Sequence, residues 1–282
     1  MLDQEEVLNS RFFTVDDGEL VILHNSGFFS NATIGLHGIT EFYKAFQGLP
    51  LRVNFSKTFR DFTNYNGDDS YPLFFEFNAE LDIPFVAEIG MSAYSLFSYR
   101  DESFNELAPF VEKYFSPTAE VDSIATYLAQ KYEIDFLNTL AIVYRGTDKY
   151  RDTGLGSFSE YVDRAKVFLE IDPNLRVLVQ TDQKQFLEYC KREIPNVFYF
   201  AELPMTTTDT VMHHVVPIDS KIDWAKRFLA VTTLLSKCRY VVTHSGNVGR
   251  WICLYRKNAN GVVQYLRPKD QPQSAGGNFW IE

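Results

Sequence analysis

Apolar positions in the second half of the chain alternate between two periods. Continuous apolar runs occur at LAIVYRG (140–146), LRVLVQT (175–181), NVFYFAE (196–202) and RYVVTH (239–244), and read as buried strands. Between and after them, apolar residues fall three and four apart. FSEYVDRAKVFLEI (158–171), DQKQFLEYCKREI (182–194), SKIDWAKRFLAVTTLLSKC (220–238) and GNVGRWICLYRK (246–257) are therefore predicted helices. Asp172-Pro173-Asn174 stops the first, Asp182 is placed to cap the second, and Ser220 starts the third. Strands alternating with helices predict an α/β chain with a parallel, doubly wound sheet.

The first half repeats the theme less regularly. ELVILH (19–24) and LRVNF (51–55) read as strands, DIPFVAEIG (82–90) as one more, and ATIGLHGITEFYKAF (32–46) as a helix. A helix over 123–134 leads into the second half. Residues 56–81 and the Gly-, Pro- and Asn-rich tail, 258–282, carry loop composition.

Bulk composition narrows the function. The 282 residues are 45% hydrophobic and carry a net charge of −10, so a sizeable core forms on an acidic surface. That charge disfavours nucleic acid and anionic membranes, yet a local basic site for a small anion is compatible with it. No apolar run is long enough to span a bilayer, and the acidic start does not read as a signal peptide; a cytoplasmic protein is expected. Cys190, Cys238 and Cys253 lack metal or redox spacing and read as buried reduced thiols.

Ligands of open α/β sheets bind beyond the carboxyl ends of the strands. Three ends concentrate polar chemistry. They are Arg145-Gly146-Thr147-Asp148-Lys149, Thr181-Asp182-Gln183, and Thr243-His244-Ser245-Gly246-Asn247 running into a helix. The third offers helix N-terminal amides to a phosphate, and Arg145 a planar fork of donors. Each has a plainer reading: Arg145 with Asp148 as an ion pair, Asp182 as a helix cap, Ser245-Gly246 as a turn. His213-His214 lacks a third ligand for zinc, and His24 and His37 are isolated. No P-loop or dinucleotide fingerprint occurs.

VYRGTDKYRDTG, with FSEYVDRA after it, resembles the H-V-R-R-T-D-K segment of the α-1,6-fucosyltransferases and bacterial nodulation fucosyltransferases. VLVQTDQKQFLEYCKREIPNVFYF and FLAVTTLLSKCRYVVTHSGNVGRW resemble their following blocks, so the likeness spans about 138–256. SGFFSNATIGLHGITEFY resembles the N-terminal loop and helix of small glycosyltransferases of large algal and amoebal DNA viruses, whose site would be the host cytoplasm.

The resemblance implies a GT-B fold: two Rossmann-like domains facing across a cleft. Residues 1–125 form the acceptor side, 126–256 bind the sugar nucleotide, and 257–282 pack back on the first. It implies an inverting glycosyltransferase needing no metal or other cofactor, acting on a nucleotide sugar and a glycan acceptor. Arg145 matches the arginine on the donor pyrophosphate and Ser245 the loop serine beside it. Asp148, Thr181, Asp182, Thr243, His244, Gly246 and Asn247 complete the expected donor site. Gly27, Phe28, Phe29, Ser30 and Asn31 form the cleft loop.

The sequence also departs from that pattern. Val143 replaces a histidine, Gly146 a second arginine, and Ala230 the aspartate that reads guanine. Without that carboxylate a UDP-sugar, such as UDP-xylose, is the expected donor, with GDP-fucose the alternative. The family's glutamate base falls on Thr153, so Asp152, assisted by Lys149, is the first candidate base. Asp68, Asp69 and Glu88 are the others. A non-catalytic sugar- or nucleotide-binding protein is the reading outside the enzymes.

Overall fold

The computed structural model describes residues 10–63, 68–84, 86, 89–94, 97–151, 153–268 and 278–282. Asp152, Glu88 and part of the 82–90 stretch lie outside them.

The first half opens with a hairpin. β1 (Phe13–Asp16) and β2 (Glu19–Ile22) pair antiparallel across Asp17-Gly18, both at positive φ as a two-residue hairpin turn requires. The helix α1 (Phe28–Phe46) follows and returns the chain to β3 (Arg52–Asn54), which pairs parallel with β2. α1 begins four residues before the expected start, because Phe28 and Phe29 are buried anchors and not loop residues. The first half thus has a three-stranded sheet, smaller than the Rossmann-like unit expected of it.

β4 (Phe75–Glu76) and β5 (Ser116–Pro117) form a short pair flanking α2 (Phe104–Tyr114). The described residues of 82–90 form no strand. Just before them, the buried Lys113 ammonium holds a loop by donating to the carbonyls of Asn78, Ala79 and Leu81 at 2.9, 3.2 and 2.7 Å. The helix α3 (Ala119–Lys131) starts at Thr118, whose hydroxyl caps the Val121 amide.

The second half follows the predicted order closely. It comprises β6 (Thr139–Tyr144), α4 (Phe158–Ile171), β7 (Arg176–Thr181), α5 (Lys184–Glu193), β8 (Val197–Phe198), α6 (Met212–Val215), α7 (Lys221–Lys237), β9 (Tyr240–His244), α8 (Asn247–Arg256), β10 (Val262–Tyr265) and β11 (Trp280–Ile281). The sheet order is β11-β10-β9-β6-β7-β8, parallel except for β11. The tail expected to pack on the first half supplies two strands to this sheet, and its Gln264 also accepts from the Tyr99 amide and donates to the Phe97 carbonyl of the first half. β8 is shorter than expected because the chain leaves the sheet there: the Ala201 amide donates to the Tyr132 hydroxyl, and Phe200 packs on that ring.

β6 is buried along its whole length, and strand alternation sends its side chains into two cores. Leu140, Ile142 and Tyr144 pack with α4 and α5, while Ala141 and Val143 join a core shared by α7, α8 and the first half. One apolar core therefore spans both halves and fixes the cleft between them.

Candidate functional site

β6, β7 and β9 run parallel, so Tyr144, Thr181 and His244 end them at one edge. Beyond that edge lies a cleft of about 360 Å³, closed on its far side by the start of α1. Arg145, Asp148, Lys149, Thr181, Asp182, His244, Gly246 and Asn247 line it, opposite Gly27, Phe28, Phe29 and Ser30. The structure thus gathers most of the residues proposed from sequence into one site.

Arg145 is held by two carboxylates. Its Nε donates to Asp182 at 3.0 Å and its Nη2 to Asp148 at 3.1 Å. Asp182 also accepts from the Gly146 amide at 3.0 Å and the Thr147 hydroxyl at 2.8 Å. It does not cap α5, whose N-cap is Gln183; its carboxylate instead fixes the Arg145 loop. Burial opposes charge on Arg145, but Asp182 and Asp148 more than offset it and raise its pKa. Burial likewise opposes charge on Asp148, and Arg145 and Lys149 outweigh it, holding that carboxyl below its ordinary range.

Gly146 stands where the fucosyltransferase pattern has a second arginine, and the packing explains why. A Cβ there would sit 2.1 Å from Gln183 Oε1 and 2.7 Å from the Tyr144 ring.

The α8 loop is built from both halves. Gly246 has φ of +152°, and a Cβ would lie 2.9 Å from Cε of Lys149, which arches over it. Tyr99, from the first half, threads its hydroxyl into the loop. The hydroxyl accepts from the Gly246 amide at 3.0 Å and faces the carbonyls of Gly246 and His244 at 2.7 and 3.1 Å. Tyr99→Phe is expected to orphan the Gly246 amide, at a cost of about 1–3 kcal/mol. Urea denaturation measures that loss, and an unchanged midpoint would refute the clamp.

Ser245 departs from its expected role. It is buried and outside the cleft lining, donating to the Tyr265 carbonyl at 3.1 Å and accepting from Gln264 at 2.8 Å. Thr243 is buried in β9, and Asn31 clamps the cleft loop through the Ser26 amide and carbonyl. Neither lines the cleft. Asp68 and Asp69 lie outside the lining too; Asp69 accepts from the Tyr71 amide at 2.9 Å. Thr153 is buried and donates to the Arg267 carbonyl.

His244 is buried. Burial, then Lys149 and Arg145, push its pKa down to about 3. The unfolded chain binds this proton more tightly than the folded one. His244's contribution to stability is therefore complete above about pH 6.5 and is lost as pH falls towards 3. Between pH 7 and 5 the loss from this group is about 2 kcal/mol. His244→Gln should flatten that segment of the urea midpoint against pH.

One wall escaped the sequence reading. Trp224 and Phe228 stack at 5.4 Å on α7, Trp224 stacks on Phe62 from the first half at 5.9 Å, and His213 packs on Phe62 at 5.3 Å. The four-residue spacing of Trp224 and Phe228 was the available signal. Ala230, two residues on, is fully buried in the core and lines no part of the cleft.

No protein-family model matches the chain, and no curated protein matches it by sequence. Solved structures do match. NodZ α-1,6-fucosyltransferase co-crystallised with GDP aligns over 89% of this chain and 96% of that one, with a TM-score of 0.55 and 12% identity. Fucosyltransferase NodZ from Bradyrhizobium aligns over 86% and 94%, with a TM-score of 0.55 and 13% identity. The fold is GT-B. A NodZ structure soaked with GDP-fucose aligns over 57% of this chain but 49% of that one, at a TM-score of 0.38, too low to bear on the fold. In GT-B terms, the Arg145 edge and the α1 edge are the two lips of the interdomain cleft. Among the described residues no group of acidic, His or Cys side chains could hold a metal, and no helix is long and apolar enough to cross a membrane.

Proposed function

We propose that this chain is a glycosyltransferase that binds a nucleoside-diphosphate sugar in the cleft and moves the sugar to a hydroxyl of a glycan acceptor. The observation that carries the reading is the pair of basic side chains at the end of β6. Arg145, oriented by Asp182 and Asp148, faces the N-terminus of α8 with Lys149 over the turn. A diphosphate leaving group needs this combination of full charge and helix amides. Inverting transfer without a metal is part of the proposal, since these groups would neutralise the departing diphosphate. The Trp224–Phe228–Phe62 wall offers π faces to the base.

Within that reading a GDP-linked sugar now stands ahead of a UDP-linked one. The case for UDP rested on a missing carboxylate at Ala230, and that position is core. The neighbours by fold are fucosyltransferases, one of them co-crystallised with GDP, so GDP-fucose is the first donor to try. A viral origin gains no support from these neighbours.

A thermal-shift titration with GDP, UDP, GDP-fucose and UDP-xylose, with EDTA present, tests the reading. At 100 times Kd a ligand stabilises by about 2.7 kcal/mol, so preference shows directly. GDP-selective stabilisation is expected. UDP-selective stabilisation would restore the other donor class, and no stabilisation by any nucleotide would overturn the site.

A further inference from the structure

The glycosyltransferase reading requires a group to take the acceptor proton, and the described carboxylates of the cleft are poorly suited. Asp182 and Asp148 are the two described acids in its lining, and both are tied to Arg145. Thr153, at the position of the family glutamate, is a buried alcohol donating to the Arg267 carbonyl. His213 and His244 line the cleft but are pushed down to about 4 and about 3, so each holds a proton weakly.

The opposite lip holds a different arrangement. Ser30, in the first turn of α1, lines the cleft, and its Oγ lies 2.9 Å from Nε2 of His24. His24 follows the end of β2, so a strand and a helix terminus fix the two groups against each other. The Asn31–Ser26 clamp, at 2.7 and 3.1 Å, holds the intervening turn. The Phe12 ring meets the imidazole edge-on at 5.6 Å. Arg11 stacks over Phe12 at 4.6 Å and bonds the Tyr94 hydroxyl, and it is the charged group that perturbs His24.

We propose that Ser30 and His24 form the proton-accepting pair for the acceptor hydroxyl, an assignment resting on the glycosyltransferase reading above. Ser30 is the catalytic residue that touches the acceptor, and His24 takes the proton through it. As the acceptor oxygen attacks the anomeric carbon, its proton passes to Ser30 Oγ while the serine proton passes to His24 Nε2. The bond from the anomeric carbon to the phosphate oxygen breaks, and its electron pair leaves with the nucleoside diphosphate beside Arg145. The imidazolium then releases its proton to solvent. Burial, and then Arg11, lower the pKa of His24 by less than burial lowers those of His213 and His244, so the ring is neutral at pH 7 and keeps more basicity than either.

The test uses the full chain, the sugar nucleotide selected by thermal shift, and pooled neutral oligosaccharides as acceptor. Four proteins are compared: wild type, His24→Gln, Ser30→Ala and Ser30→Thr. The two disruptive variants should bind nucleotide with wild-type affinity while kcat falls about 100-fold. Ser30→Thr, which keeps a hydroxyl, should retain most of the rate. The acid limb of the wild-type kcat profile should disappear in His24→Gln. Wild-type kcat with an intact acid limb in His24→Gln would overturn the pair and leave the glycosyltransferase reading standing. A wild-type chain that binds no nucleotide would overturn both. Loss of nucleotide binding in both disruptive variants, with unchanged melting temperatures, would make the lip a donor contact and overturn the proton role.

Discussion

Arg145→Ala is expected to lower nucleotide affinity about 100-fold, or ~2.7 kcal/mol, measured by calorimetry against the wild-type ligand. The guanidinium is the full charge at the end of β6, and its fork is oriented before any ligand arrives. Asp182 and Asp148 fix Nε and Nη2, so little side-chain freedom is left to lose on binding. The variant should also be less stable, because two carboxylates lose their shared cation. The Asp182 side chain is 7% exposed, and Arg145 itself is 25% exposed, so solvent screens part of the effect. After that discount, about 2–3 kcal/mol of stability is expected to go. Asp182 has two further donors, the Gly146 amide and the Thr147 hydroxyl, which limit the damage. Arg145→Lys separates the effects: it keeps the charge and loses the fork, so binding should fall by less. Wild-type affinity in Arg145→Ala would remove the diphosphate from this edge altogether.

The largest stability effect is expected away from the cleft. Arg250 of α8 is 0% exposed, and the Glu102 side chain it pairs with is 4% exposed. Nε bonds one carboxylate oxygen at 2.9 Å, Nη2 bonds the other, and Nη1 donates to the Ser92 carbonyl at 2.7 Å. The guanidinium also lies over the Phe97 ring at 4.6 Å. This pair pins Ser92 and the 97–102 segment, which carries Tyr99, against the helix whose N-terminus faces the cleft. Arg250→Leu leaves a buried carboxylate unpaired and should cost about 3–5 kcal/mol. For a chain of this size, that is a fall in melting temperature of the order of 10 °C. Replacing both partners, Arg250→Leu with Glu102→Leu, should recover much of the loss. If the single variant melts within a degree or two of wild type, the pair does not hold the two halves together.

The two variants discriminate between binding chemistry and assembly. Arg145→Ala acts on the ligand first and on stability second. Arg250→Leu acts on stability first, and on nucleotide binding only through the Tyr99 clamp on Gly246.

The second half was legible because each of its main strands is buried on both faces. LAIV has no polar position, and the helix of 158–171 falls where its period placed it. The strand ends followed: once β6, β7 and β9 are parallel, their carboxyl ends share an edge, and Arg145, Thr181 and His244 meet there. The first half was less legible because its strands are three or four residues long, too short for a period to stand out. β10 and β11 were missed for a related reason: four and two residues inside a Gly- and Asn-rich tail carry little local signal, and pairing makes them strands, β10 on β9 and β11 on β10.

Within the site, sequence determined which chemical groups stand at strand ends, and tertiary structure decided what each is free to do. Ser245 and Asp182 look alike in sequence, as polar residues just beyond a strand. Ser245 turns inward to Gln264 and Tyr265, while Asp182 faces the cleft and orients Arg145. Ala230, expected at the base, is core, because α7 turns Trp224 and Phe228 to the cleft. His24 and Ser30 lie six residues apart, at no spacing that marks a pair, and only the turn between β2 and α1 brings them to 2.9 Å. Period and burial are properties of neighbouring residues and can be read along the chain. The direction of a side chain at a loop depends on partners far away in sequence, and those exist only once the two halves have packed.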